Sequence, residues 1–551
     1  MKTISIIILS VWAIAACTNA SQTNLIKLVS NSKTVKPISV IPLPMEITHS
    51  PGTFTLTRGT VIQTDKKTRS TGDFLAGILE PATGYRLKVL KRKSSGNSII
   101  KLNIDKNLNK LGKEGYTLSV ATNQITISSI DSAGVFYGCQ TLRQLLPSEI
   151  FSDSIVSGMN WTVTCVNIKD SPRFVWRGMM LDVARHFFPK EDVKKFLDYL
   201  AMYKMNRFHW HLTEDQGWRI EIKKYPKLTK IGGWRKETII GHLNDKPKKY
   251  DGKRYGGFYS QDDVREIVDY AKKLHINVVP EIEMPGHESA AIAAYPEIGC
   301  TKKPIEVATR WGIHPNLFNV DESTFDFLED VLTEVMELFP DEYIHVGGDE
   351  ARKNQWKSNS KVQKKMRELG IKNEHVLQSY FITRIEKFLN KHGKRLVGWD
   401  EILEGGLAPN ATVMSWRGIK GGIAAAQAGH DVVMSPGTHC YFDHYQTEDK
   451  KSVPLAIGGY TPLEKVYSYE PVPEKISKDK QKHILGSQGN VWTEYIPDLE
   501  TVELRIFPRI CALSEVNWSP AKKRNWTDFK KRIKSNRKRL DMKKVNYYKT
   551  P

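Results

Sequence analysis

Acidic residues and tryptophans recur together in this chain, each time at the end of a short apolar run. Asp349-Glu350 follows two glycines, Glu214-Asp215 follows His211-Leu212-Thr213, and Asp400-Glu401 follows Gly398-Trp399. Glu281 and Glu283 flank Ile282 before a Met-Pro-Gly-His287 turn, Trp416 precedes Arg417, Asp443 follows Tyr441-Phe442, and Trp492-Thr493-Glu494 closes the series. An Asp-Glu pair on its own could simply cap a helix. A set of carboxylates with Trp399, Trp416 and Trp492 on one rim suits a sugar, whose apolar face stacks on indoles while carboxylates take hydroxyl hydrogen bonds. No Gly-rich phosphate loop, C-x-x-C or paired-histidine spacing occurs, so neither a metal nor a cofactor is expected. His209 and His211 read as residues filling strand positions rather than touching substrate.

These residues share a rim only if the runs before them are strands of one sheet. Apolar runs alternate with amphipathic helices from Arg173 onward, the pattern of a parallel sheet with crossover helices. The strands are expected at 174–181, 207–212, 276–281, 343–347, 395–399, 412–416, 431–434 and 484–487, with helices at 191–203, 262–274, 324–338, 375–391 and 422–428. Eight such units predict an α/β fold, a (β/α)8 TIM barrel, whose active sites gather at the carboxyl ends of the strands. Insertions such as 443–483 account for its length. Ahead of it, 38–166 alternates short β-like runs with one helix over 133–146, a small α+β domain. The barrel is assigned to 167–520.

The rest of the chain bears on compartment and partners. Of 551 residues, 40% are hydrophobic, enough for a packed core. The net charge is +21, but 521–551 holds 13 Lys/Arg against 2 Asp/Glu and supplies 11 of those charges. That segment reads as a helix over 526–540, with Trp526, Phe529, Ile533 and Leu540 buried and its Lys/Arg outward, not as a nucleic-acid grip. Residues 4–16 are an apolar run after one lysine, the pattern of a secretory signal. Ile14-Ala15-Ala16-Cys17 is similar to a bacterial lipoprotein box, with Cys17 acylated and 18–37 a tether, so an exported, membrane-anchored protein is expected. The other five cysteines are widely spaced and read as buried thiols.

Five ordered motifs carry a family resemblance. Arg177-Gly-Met-Met-Leu-Asp182-Val-Ala-Arg185-His-Phe-Phe, His211-Leu-Thr-Glu-Asp-Gln-Gly-Trp218, Pro280-Glu-Ile-Glu-Met-Pro-Gly-His287, Gly347-Gly-Asp-Glu350 and Gly398-Trp-Asp-Glu401 resemble the family-20 glycoside hydrolases, the β-N-acetylhexosaminidases, from about Ile41 to Trp518. The resemblance implies exo-acting removal of terminal β-linked N-acetylglucosamine or N-acetylgalactosamine with retention, the substrate's own acetamido oxygen attacking the anomeric carbon. It casts Glu350 as acid and then base, with a pKa raised by burial or by Asp349's negative charge. Asp349 would hold the acetamido N–H. It further implies that Arg177 grips sugar hydroxyls and that His287 pairs with Asp215, or with Glu214, to tune the acid. Trp399, Trp416 and Trp492 would wall the pocket, Tyr441 would bond the acetamido oxygen, and Asp443 and Glu494 would bind hydroxyls. A disaccharide-releasing lacto-N-biosidase-like enzyme and an idle carbohydrate-binding lipoprotein are the competing readings.

Overall fold

In a computed structural model of the chain, residues 38–91 and 98–549 are described; the apolar leader, Cys17 and the tether lie outside them. The first part is a seven-stranded mixed sheet in the order Glu46–Thr55, Thr162–Asp170, Tyr116–Val120, Gln124–Ser129, Ile99–Ile104, Val61–Gln63, Lys88–Leu90. Helices Arg69–Thr83 and Ser132–Leu145 pack on it. The second starts where the Asp131 side chain accepts from the Ala133 N–H. The last strand carries this sheet past Val166 to Asp170.

Eight parallel strands then close into a barrel: Trp176–Asp182, Arg207–His211, Asn277–Met284, Tyr343–Gly347, Arg395–Trp399, Thr412–Ser415, Val432–Met434 and Ile484–Val491. Most form from apolar runs, and even the polar ones, Arg207–His211 and Ile484–Val491, are covered on both faces, by helices outside and side chains within. Trp176, Val279, Tyr343, Val397, Trp399, Met414 and Val433 form the buried cluster inside. The helices that return the chain are amphipathic, and their ends are set by side chains. Gln261–Lys273 begins in a reciprocal Ser260–Asp263 capping box, and Glu374–Lys391 begins where Asn373 accepts from two backbone N–H groups. The (β/α)8 architecture behind a small α+β domain is therefore the fold of the chain.

The closing helix, Trp526–Met542, departs from expectation in two respects: Trp526 is only half-buried, and two arginines are not exposed. Its lysines face outward, but Arg532 and Arg539 turn inward with Phe529, Ile533, Asn536 and Leu540. Arg532 makes a bidentate pair with Glu515 at 2.6 and 2.7 Å, and Arg539 donates to the carbonyls of Gln144 and Ser39. Planar guanidinium groups can be buried when every donor finds an acceptor, so these two arginines belong to the core. The five described cysteines are buried and free. Among the described residues no helix is long and apolar enough to cross a membrane.

Candidate active site

The rim at the strands' carboxyl ends encloses a cavity of about 310 Å³. Its lining includes Asp349, Glu350, Trp399, Trp416, Tyr441, Asp443, Trp492 and Glu494, all proposed from the sequence, together with Arg185, His444 and Ile457–Gly459. The last four come from the insertion after the seventh strand, where no motif pointed to them.

The fourth strand ends at Gly347, and the catalytic candidates sit in the turn beyond it. Gly347 (φ 65°) and Gly348 (φ 91°) are left-handed. A Cβ on Gly347 would lie 1.8 Å from Glu283 Oε2, so both backbone sign and close approach demand glycine there. Glu350 itself adopts φ 45°, a conformation that costs a non-glycine residue about 1–2 kcal/mol. Asp349 and Glu350 therefore take their positions from this turn and not from the strand itself.

His287 ties the acids together. Its Nδ1 lies 2.7 Å from Glu214 Oε1 and 3.3 Å from Asp215 Oδ2; its Nε2 lies 3.6 Å from Asp349 Oδ2 and 3.5 Å from Glu350 Oε2. Both acids of the second strand's end thus partner it, Glu214 more closely. Burial works against charge on the ring, but Glu214, Asp349 and Asp215 outweigh it and hold an imidazolium well above the ordinary histidine range.

Burial and that cation push the two acids in opposite directions while the pocket is empty. Burial pushes Asp349 well above the carboxylate range, against the pull of His287 and with the negative charges of Glu401 and Glu350 adding to it. Burial also acts upward on Glu350, but the His287 contact, with Arg185 and Arg352, leaves it below its ordinary value. Glu350 is the half-exposed member, so solvent supports its charge. Asp349 Oδ1 is buried with no protein partner.

The walls are held from behind. Trp399 Nε1 donates to Glu281 Oε1 at 2.8 Å, and Glu281 is clasped by His345 Nδ1 at 2.7 Å and His209 Nε2 at 2.9 Å. His209 fills a strand position as expected, yet it also helps fix a pocket tryptophan through Glu281. Trp416 Nε1 donates to Glu401 Oε2 at 2.9 Å, and its ring lies nearly parallel to that of Tyr441. Burial lifts Glu401 to about 7 and raises Asp443 and Glu494 as well. His209, Glu281 and His345, and His287, Asp349 and Glu350, come close enough to share an ion.

One proposed contact is corrected. Arg177 lies at the start of the first strand, at the opposite end of the barrel from the pocket, and is fully buried. Its guanidinium pairs with Glu114 at 2.7 and 2.8 Å and donates to the carbonyls of Phe174 and Lys204. The arginine at the rim is Arg185, just past the same strand, 2.8 Å from Glu214 Oε2 and 5.0 Å over the Trp492 ring.

A parallel barrel whose mouth presents carboxyl pairs, an imidazolium between them and an aromatic wall has the parts of a carbohydrate-cleaving hydrolase. Residues 174–521 match the glycosyl hydrolase family 20 catalytic domain, and 37–171 match domain 2 of that family. The chain belongs to glycosyl hydrolase family 20 and is a glycoside hydrolase. It is 47% identical over 517 residues to a beta-hexosaminidase of Porphyromonas gingivalis, covering 93% of this chain and 64% of that relative's length. The solved GH20 beta-N-acetylhexosaminidase of Streptomyces coelicolor superposes with a TM-score of 0.81 at 32% identity, covering 93% of this chain and 98% of its own. A mutant Streptomyces plicatus beta-hexosaminidase in complex with its product, GlcNAc, does so with the same score and identity, covering 93% and 97%.

Proposed function

We propose that this chain is an exo-acting β-N-acetylhexosaminidase that removes terminal non-reducing β-linked N-acetylglucosamine or N-acetylgalactosamine by substrate-assisted, retaining hydrolysis. The observation that carries the reading is Asp349: a buried carboxyl in an aromatic-walled cavity with one oxygen left unpaired, beside a partly exposed glutamate. Such an oxygen calls for a buried N–H donor, which an acetamido group supplies and a plain hexose lacks. GlcNAc, the product held by the Streptomyces plicatus relative, carries that group.

The chain's residues then divide the work. An acetamido N–H on Asp349 favours its anion, while the sugar covers Glu350 and removes the water that stabilises its charge. Binding therefore acts downward on Asp349 and upward on Glu350, the directions that a charged Asp349 and a protonated Glu350 require. Asp349 orients the acetamido group and stabilises the positive charge growing on it. The acetamido oxygen bonds to the anomeric carbon as the glycosidic C–O bond breaks, and the Glu350 proton passes to the leaving oxygen. Water then attacks the anomeric carbon of the oxazolinium, giving its proton to Glu350 and returning the electron pair to the acetamide. Arg185, Asp443 and Glu494 serve sugar hydroxyls, and Tyr441 the acetamido oxygen. A cavity of about 310 Å³ lies at the lower end of small-ligand sites, which favours one sugar over the disaccharide of a lacto-N-biosidase.

Release of 4-nitrophenol from its β-N-acetylglucosaminide, beside the plain β-glucoside, tests this. Activity should be confined to the acetamido substrate, and Glu350→Gln and Asp349→Asn should each lower kcat by about 10²–10⁴. Equal turnover of both substrates, or near-native variants, would remove the assignment. We also propose export and acylation at Cys17, on the strength of the apolar run and small residues before it. Labelled palmitate should enter the wild-type chain and not Cys17→Ala.

A further inference from the structure

We propose that the outer face of the closing helix Trp526–Met542 is a docking surface for an anionic lipid bilayer. Two of the helix's three arginines, Arg532 and Arg539, are buried and spent on Glu515, Gln144 and Ser39, while Arg537 is half-buried at the edge of the lysine face. Lys530, Lys531, Lys534 and Lys538 are exposed, and at 100° per residue they fall within one 100° arc. Among the described residues none of the four makes an ion pair with a carboxylate. Of the helix's own acids, Asp528 is taken by Arg532, and Asp541, at the far end of the lysine face, accepts from Tyr547.

Lys530, Lys534 and Lys538 also stand at i, i+4 spacing, where like charges repel and weaken a helix. A face that only had to be soluble would interleave acids and gain from the same spacing. Here the fold bears a repulsion that a negatively charged surface would relieve. A bilayer suits a flat array of flexible ammonium groups that bind as point charges rather than as a fork.

The path of the chain supports the same occupant. Ser39, close to where the described chain begins, lies against this helix: its Oγ is 3.1 Å from Ser535 Oγ, and its carbonyl accepts from Arg539 at 2.6 Å. The described chain therefore begins beside the lysines. If Cys17 carries an acyl chain, the anchor draws this helix toward the bilayer, and on this point alone the inference rests on the proposed export. The helix's inward Asn536 bonds Tyr203, at the strand-start end of the barrel, so docking here leaves the sugar pocket open to solvent.

The test uses the full chain carrying Cys17→Ser, so that no acyl group contributes, and vesicles of phosphatidylcholine with and without phosphatidylglycerol. Basic residues near an anionic surface contribute roughly fivefold in partitioning each, so the four together should give a preference for anionic vesicles of about 600-fold at low salt, collapsing at about 0.5 M salt. Replacing the four lysines by glutamine should abolish the preference while hydrolysis of a small soluble glycoside stays unchanged. Equal partitioning onto both vesicles, or a preference that survives the fourfold variant, overturns the proposal. So does lysine-dependent binding of dextran sulfate without any vesicle preference, which would assign the face to a soluble polyanion.

Discussion

The placement of one proton decides whether Asp349 and Glu350 can work, and His287 is the residue that biases it. Removing its positive charge stabilises the protonated form of both carboxyl groups, so the pair should lose its protons at higher pH. In His287→Gln both limbs of kcat/KM against pH should therefore move upward, by on the order of one unit, with a lower plateau. A profile that keeps both limbs in place would exclude the imidazolium from the acid chemistry. Much of this site could be read from residue types alone. The acids and tryptophans were recognisable because sugar chemistry needs both and the runs before them were strand-like. The charge state was not, because it depends on His287 lying 3.5–3.6 Å from two acids more than sixty residues away in sequence.

At the scale of elements, the turn after the fourth strand does the positioning. Gly347→Ala would place a Cβ on Glu283 in a backbone region that alanine resists. A displacement near 1 Å in this turn should lower kcat by about 10²-fold, since reacting groups tolerate little misplacement. The measurement is kcat beside the thermal unfolding midpoint; full activity would show that the turn can relax harmlessly. Barrel strand order was legible from periodicity, and each helix expected from it begins and ends within two residues of its expected limits, whereas Arg69–Thr83, Leu499–Ile506 and Arg509–Trp518 were not expected. The insertion that brings His444 and Ile457–Gly459 to the pocket was not legible, because an irregular segment has no period and its destination depends on the barrel beneath it. The inward arginines of the closing helix escaped notice for a related reason. Charge predicts exposure unless a buried partner exists, and Glu515 belongs to another helix.

Across the whole molecule, two arginines on the first strand's path divide stability from binding. Arg177→Met should leave Glu114 unpaired at the junction with the first sheet and cost about 3–5 kcal/mol of stability, with kcat/KM of the folded enzyme retained. Arg185→Met should instead raise KM by about 10–100-fold, the worth of a lost charged hydrogen bond to substrate. The opposite pattern in these two measurements would restore Arg177 to the sugar. A motif match alone could not separate them, since both stand in one run, Arg177–Phe188, and only strand direction says which end faces the mouth.

The same junction has a consequence for how the chain can be cut. Asp170, the last residue of the first sheet, is fully buried and receives Lys204, Tyr116, Trp518 and the backbone N–H of Met45. Excising the barrel by itself would orphan Lys204 and Arg177 together, two cations stranded in a dry interior. The catalytic half is therefore not a detachable module: a truncation beginning near residue 174 should be recovered as aggregate, and its companion fragment, supplied in trans, is what it would need to become soluble.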